Sequence, residues 1–241
     1  MTRARNSGGG RTTLALSAAL IGVLAIAAVV VLIINMNRGG EPGPSPTPPP
    51  SSSDAAPPTE TAGAESICGL PAGSPDIPTA PPETSWSVIG RTPVPDSTTA
   101  GPGLVEPSGL RHCFARGAEG ALFAAANLTV ASIEGVNREE IAEQLVAEGP
   151  GRDIAIAQAE TPVDEQTFGM AIEGFKVLEY TDSTARIDFA LRLTTGEYIS
   201  SVVDLRWEDG DWKMVLADDG SPLTDPVRLQ SAGGYITWSN G

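Results

Sequence analysis

The chain has 241 residues, with 15 Lys and Arg against 30 Asp and Glu and a formal net charge of -15. Such an acidic balance argues against a nucleic-acid partner, which a basic surface would attract. One His and two Cys are too few for a zinc cage, and they leave His112 as the single imidazole available for catalysis.

Arg3, Arg5, Arg11 and Arg38 are the only charges in the first 40 residues. Between them, Leu14 to Ile34 is an uncharged run in which Ser17 is the only polar side chain. As a helix the run would span about 32 Å, close to the ~30 Å hydrocarbon core of a bilayer. It exceeds the ~7–15 apolar residues of a cleaved signal peptide, and Asn35, Met36, Asn37 and Arg38 supply no small-residue cleavage site. The expectation is a signal anchor: a basic cytoplasmic tail at 1–12, a transmembrane helix at 13–36, and everything after it outside the cytoplasm.

Of 21 prolines, 17 lie between Pro42 and Pro107. Gly39 to Glu65 contains no aromatic and no branched aliphatic side chain. Such a stretch buries too little apolar surface to offset its ordering entropy, so 37–66 is expected to be a disordered, polyproline-biased tether.

Cys68 and Cys113 are the only cysteines. On the oxidising side of a membrane such a pair reads as a disulfide, worth about 4 kcal/mol through loop closure. The stretch 67–115 between tether and domain is expected to be irregular and pinned by that bridge, with one strand at Ser85 to Ile89. His112 precedes Cys113, but neighbouring side chains rarely point together and an oxidised Cys is no nucleophile, so no catalytic pair is expected there.

An α+β domain is expected over 116–241. Ala118 to Ile133 is alanine-rich, with apolar residues on two faces, so it should be a helix clasped between layers. Asn127 within it should bond a neighbouring loop. The glycosylation pattern Asn127-Leu128-Thr129 falls inside this helix. Asn137 and Glu140 resemble a capping box for a second helix from Arg138 to Ala147, and a short third helix is expected near Asp153 to Ala159.

After Pro162 the period becomes two. Met170 to Tyr180 should be a strand bulged at Gly174. Thr184 to Leu193 places Ile187, Phe189, Leu191 and Leu193 inward, with Arg186, Asp188 and Arg192 outward. Asp209-Gly210 is a strong hairpin signal. A two-residue turn sets Trp207 opposite Trp212, Leu205 opposite Met214 and Val203 opposite Leu216, all on the core face, with Asp204 on the other. The inward positions include no titratable group. Asp209, Asp211, Asp218 and Asp219 read as turn residues, because the calcium-loop spacing is absent. Tyr235, Ile236 and Trp238 suggest a docked tail or a partner contact.

Helices followed by a meander ending in Trp207-Glu208-Asp209-Gly210-Asp211-Trp212-Lys213 resemble the nuclear transport factor 2-like, cystatin-like cone fold, in which helices pack on a curved antiparallel sheet. The layout is also similar to uncharacterised actinobacterial membrane-anchored proteins, through Cys68-Gly69-Leu70-Pro71, Trp86 and Cys113-Phe114-Ala115. Within the cone fold, a single-span protein with an external domain is similar to the inner-membrane assembly factors of conjugative and type IV secretion systems. The resemblance implies a membrane-anchored interaction or scaffold module among other envelope proteins, with no catalytic residue, cofactor or metal carried over. The alternative is a ligand-binding or enzymatic domain. An open cavity of several hundred Å³ with an Asp, Glu or His in it would favour that alternative; a space filled by tryptophans and aliphatics would favour the scaffold.

Overall fold

The computed structural model describes residues 66–161 and 169–240. The expected tail, membrane segment and nearly all of the tether lie outside the described residues. Among the described residues, no helix is long and apolar enough to cross a membrane.

The domain is α+β with antiparallel sheets. In chain order the elements are β1 (Ser85–Ile89), β2 (Thr92–Asp96), β3 (Leu104–Val105), β4 (Arg111–His112), α1 (Ala118–Glu134), α2 (Arg138–Gln144), α3 (Pro150–Ala159), β5 (Met170–Tyr180), β6 (Thr184–Leu193), β7 (Tyr198–Glu208), β8 (Asp211–Met214), β9 (Val227–Leu229) and β10 (Ile236–Thr237). The main sheet runs β10-β5-β6-β7-β8, with β9 also paired to β7; β1-β2 and β3-β4 are separate hairpins.

Small side chains let α1 sit deep. Ala121, Leu122, Phe123, Ala124, Ala125 and Ala126 are fully buried, which for six consecutive helical residues means cover on every side. The sheet covers one side through Phe175, Ile187, Phe189, Leu191 and Leu205. The other side meets Val94, Leu110 and Phe114. The stretch 67–115, expected to be irregular, therefore carries two hairpins and part of the core. Pro93 and Pro95 concealed β2. Both residues pair with β1, against Val88 and Trp86, within a two-stranded ribbon, where a missing N–H leaves no central ladder broken.

The β7–β8 hairpin has the register that a two-residue turn requires: Glu208 opposite Asp211, Trp207 opposite Trp212, Arg206 opposite Lys213 and Leu205 opposite Met214. Asp209 and Gly210 both take positive φ, 55° and 80°, as the turn demands. Trp212 is fully buried, with its ring 5.3 Å from that of Trp207, while Trp207 and Met214 are half-buried. The ladder stops at Met214, so Val203 and Leu216 do not pair; Leu216 bridges Pro222 instead. β5 slips register twice, between Ile172 and Gly174 and between Val177 and Glu179.

Two further expectations need correction. Asn137 caps no first-turn N–H; its Nδ2 donates to Ser108 O at 3.0 Å and to Glu140 Oε2 at 2.7 Å, and α2 ends at Gln144. Asp188 is not left to solvent on the outward face of β6. Its carboxylate accepts from Ser200 Oγ and Tyr235 Oη, both at 2.6 Å, because the C-terminal tail covers that face. Burial and the neighbouring Asp188 push the Tyr235 phenol above its usual value.

Candidate functional site

The main cavity follows from how two strands share one edge of β7. β9 pairs with Tyr198 to Ser200, and β8 pairs with Leu205 to Glu208. Between them, residues 201–204 carry no strand on that side. One bond crosses there, from Val215 N–H to Asp204 O at 2.8 Å. The chain leaves β8, loops through 215–223 and returns only at β9. Over the gap lie the last turns of α1, together with α2 and α3.

The result is a cavity of about 310 Å³. Thr129 and Ile133 of α1, Ile141 and Ala142 of α2, and Ala155 and Gln158 of α3 form its helical wall. Ser201, Val202, Val203 and Asp204 form the sheet wall, and Val215, Leu216, Pro222 and Leu223 close the remainder. Gly151 seats α3 against the loop: a Cβ there would lie 2.3 Å from Ala217 O. This volume lies at the lower end of the usual range for ligand sites, ~300–1,000 Å³.

The charged side chains at the wall are Arg138 and Asp204. Arg138 is already committed. Its guanidinium donates to Thr161 O at 2.7 Å and to Gln158 O at 2.8 Å, tying α2 to α3. Asp204 is not. Its Oδ1 lies 3.7 Å from Arg186 Nε, while its Oδ2 is buried with no hydrogen-bond partner among the described residues. Burial pushes its carboxyl above the ordinary carboxylate range; Arg186 pulls it back and Glu179 adds to the rise. Asp204 is thus a residue of the cavity wall whose unpartnered oxygen is closed to solvent. It lies on the face of β7 opposite Val203, as the alternation requires, and joins the wall where the strand edge is free.

A second cluster surrounds the disulfide, which joins Cys68 to Cys113 across a Cα separation of 5.8 Å. Cys113 is fully buried and takes φ 67°, whereas Cys68 is exposed. The positive φ breaks the alternation of an extended chain and turns the two neighbouring side chains together. His112 Nδ1 lies 3.2 Å from Cys113 Sγ, and its Nε2 lies 3.0 Å from Glu106 Oε1. The expectation that His112 and Cys113 point apart does not hold.

Asp211 underpins this cluster. Its carboxylate accepts from the backbone N–H groups of Cys113 at 2.6 Å, Phe114 at 2.9 Å and Trp212 at 2.8 Å. Burial pushes its carboxyl up, against the downward pull of those three donors. Read in sequence as a turn residue, Asp211 is a buried anchor between β8 and the start of α1. Asn127 serves a similar purpose on α1: it donates to Pro95 O at 3.0 Å and accepts from Arg111 Nε at 2.6 Å, while Arg111 also pairs with Asp96. No local pattern marked Arg111 or Asp96.

A family model matches residues 47–237, described as a domain of unknown function, DUF8175. The chain belongs to the DUF8175 family. The matched residues include both cavity walls and the disulfide cluster. No curated protein and no solved structure matches the DUF8175 chain.

Proposed function

We propose that this chain is a membrane-tethered, extracytoplasmic binding domain whose cavity at the free edge of β7 takes a small, mostly apolar molecule with one hydrogen-bond-donating head group, best a cationic amine. One observation carries the reading: a cavity of about 310 Å³ with mostly apolar walls has Asp204 as the one carboxylate among the described residues that line it. A cationic head group beside that carboxylate adds a charge-assisted interaction to the apolar contacts of the walls. The acidic surface of the chain adds a field that draws cations.

The tether and anchor belong to the same proposal. The uncharged run at 14–34 and the Pro-rich stretch after it support attachment to the outer face of a membrane, and a disulfide between the only two cysteines suits an oxidising exterior. Helices packed on an antiparallel sheet around a cavity are compatible with the cone-like resemblance. A tethered ligand binder can also act as an interaction module in the envelope. The conjugation-type setting rests on resemblance alone, and a DNA-pumping ATPase encoded beside this gene is the observation that supports it.

The test is direct binding. Calorimetric titration of the full-length chain with straight-chain primary amines of graded length should give saturable binding at one site per chain. Ala142→Trp, which fills the cavity, should abolish it. Binding that survives this substitution places the ligand elsewhere.

A further inference from the structure

We propose that Cys68–Cys113 is a site of thiol–disulfide exchange with an extracytoplasmic dithiol, in which Cys68 is the sulfur attacked and Cys113 the leaving thiolate, its charge met by His112, which Glu106 orients. The inference is independent of what occupies the cavity.

The two sulfurs are unequal. Cys68 is exposed, and Cys113 is fully buried. An incoming thiolate therefore reaches Cys68 Sγ, and the electron pair of the broken bond must leave on Cys113 Sγ. Exchange is faster when the departing thiol is the more acidic one, and a nearby imidazolium makes a thiol more acidic. His112 is placed for that purpose: Nδ1 is 3.2 Å from Cys113 Sγ, and Nε2 is 3.0 Å from Glu106 Oε1. Only the protonated ring donates from both nitrogens at once, and the reduced state would give it an anion on each side. Glu106 fixes the ring so that Nδ1 faces the sulfur. Asp211, which faces Cys113 from β8, opposes the thiolate. Its oxygens are occupied by the backbone N–H groups of Cys113, Phe114 and Trp212.

The step balances as follows. A thiolate of the dithiol attacks Cys68 Sγ, an S–S bond forms between them, the Cys68–Cys113 bond breaks, and Cys113 leaves as a thiolate beside the His112 imidazolium. The second thiolate of the dithiol then attacks its own sulfur in the mixed disulfide. Cys68 is released and takes up a proton. The dithiol becomes a disulfide, and the bridge becomes two cysteines, reduced by two electrons.

The experiment uses the full-length chain with dithiothreitol as the dithiol, and follows bridge opening by alkylation between pH 5.5 and 8.5. Rates are corrected for the thiolate fraction of dithiothreitol. His112→Asn should slow opening by about tenfold, and Glu106→Gln should fall between. Glutathione, a monothiol, should leave its adduct on Cys68 in the wild-type chain. Equal corrected profiles in wild type and His112→Asn would overturn the role of His112. An adduct on Cys113 would overturn the direction of attack, and this measurement needs no variant to fold.

Discussion

The indole Nε1 of Trp238 donates to Thr84 Oγ1 at 2.9 Å, joining residues 154 positions apart. The Trp238 ring packs against Trp86, Phe123 and Phe175, with centroid separations of 5.7, 5.2 and 5.3 Å. The tail that covers Asp188 on one face of the sheet thus rounds the β5 edge, where Ile236 pairs with Phe175, and enters the core. It closes the domain against the β1–β2 hairpin. Trp238→Ala should cost about 3–5 kcal/mol in urea unfolding, with Trp238→Phe costing roughly 1–2 kcal/mol for the lost hydrogen bond and volume. A loss below about 1 kcal/mol for Trp238→Ala would show that the tail docks weakly.

Bridge removal should have a confined effect. Val94 and Phe114 are buried against α1, and Asn127 holds Pro95 O, so β1 and β2 do not depend on the disulfide for their place. In Cys113→Ser, limited proteolysis should open the segment around residues 66–72 while 85–96 stay protected. Cleavage within 85–96 would show that the bridge holds the hairpin as well.

Asp211→Ala should be among the costliest single changes outside the apolar core. It strips three backbone N–H groups of their acceptor in a buried setting, at about 1–3 kcal/mol each before relaxation. The expected loss is about 3 kcal/mol or more by chemical denaturation, with Asp211→Asn recovering part of it through its amide oxygen.

Asp204 gives a pH prediction with a definite sign. Its carboxyl is raised in the folded state by burial, so the folded chain holds a proton that the unfolded chain releases. The folded state then binds more protons over the window between the ordinary carboxylate value and the raised one, and stability falls as pH rises through it. Asp204→Asn removes that contribution. The difference in Tm between Asp204→Asn and wild type should grow in favour of the variant from acid towards neutral pH. A constant difference would show that Asp204 titrates alike in both states.

Much of the fold is legible in the residues, for local reasons. The Asp209-Gly210 turn fixes a register, and alternation around it places Leu205 and Trp212 inside. Alanine density makes α1, and apolar residues on two of its faces announce its burial. Other features depend on long-range placement. β2 is hidden by Pro93 and Pro95, whose cost depends on which neighbours the strand has. His112 and Cys113 converge because of one backbone angle that no propensity reveals. The cavity arises from a gap between β8 and β9, set by the path of residues 215–223 rather than by any motif, and Asp204 is the carboxylate among the described residues at its wall.

The most direct test of the account pairs straight-chain primary amines with the corresponding alcohols in calorimetric titrations of the full-length chain at neutral pH. The wild-type chain should prefer the amine by about tenfold or more, the scale of a charge-assisted hydrogen bond over a neutral one, and Asp204→Asn should bind both alike. Equal affinity of the wild-type chain for amine and alcohol, or an amine preference unchanged in Asp204→Asn, would contradict it.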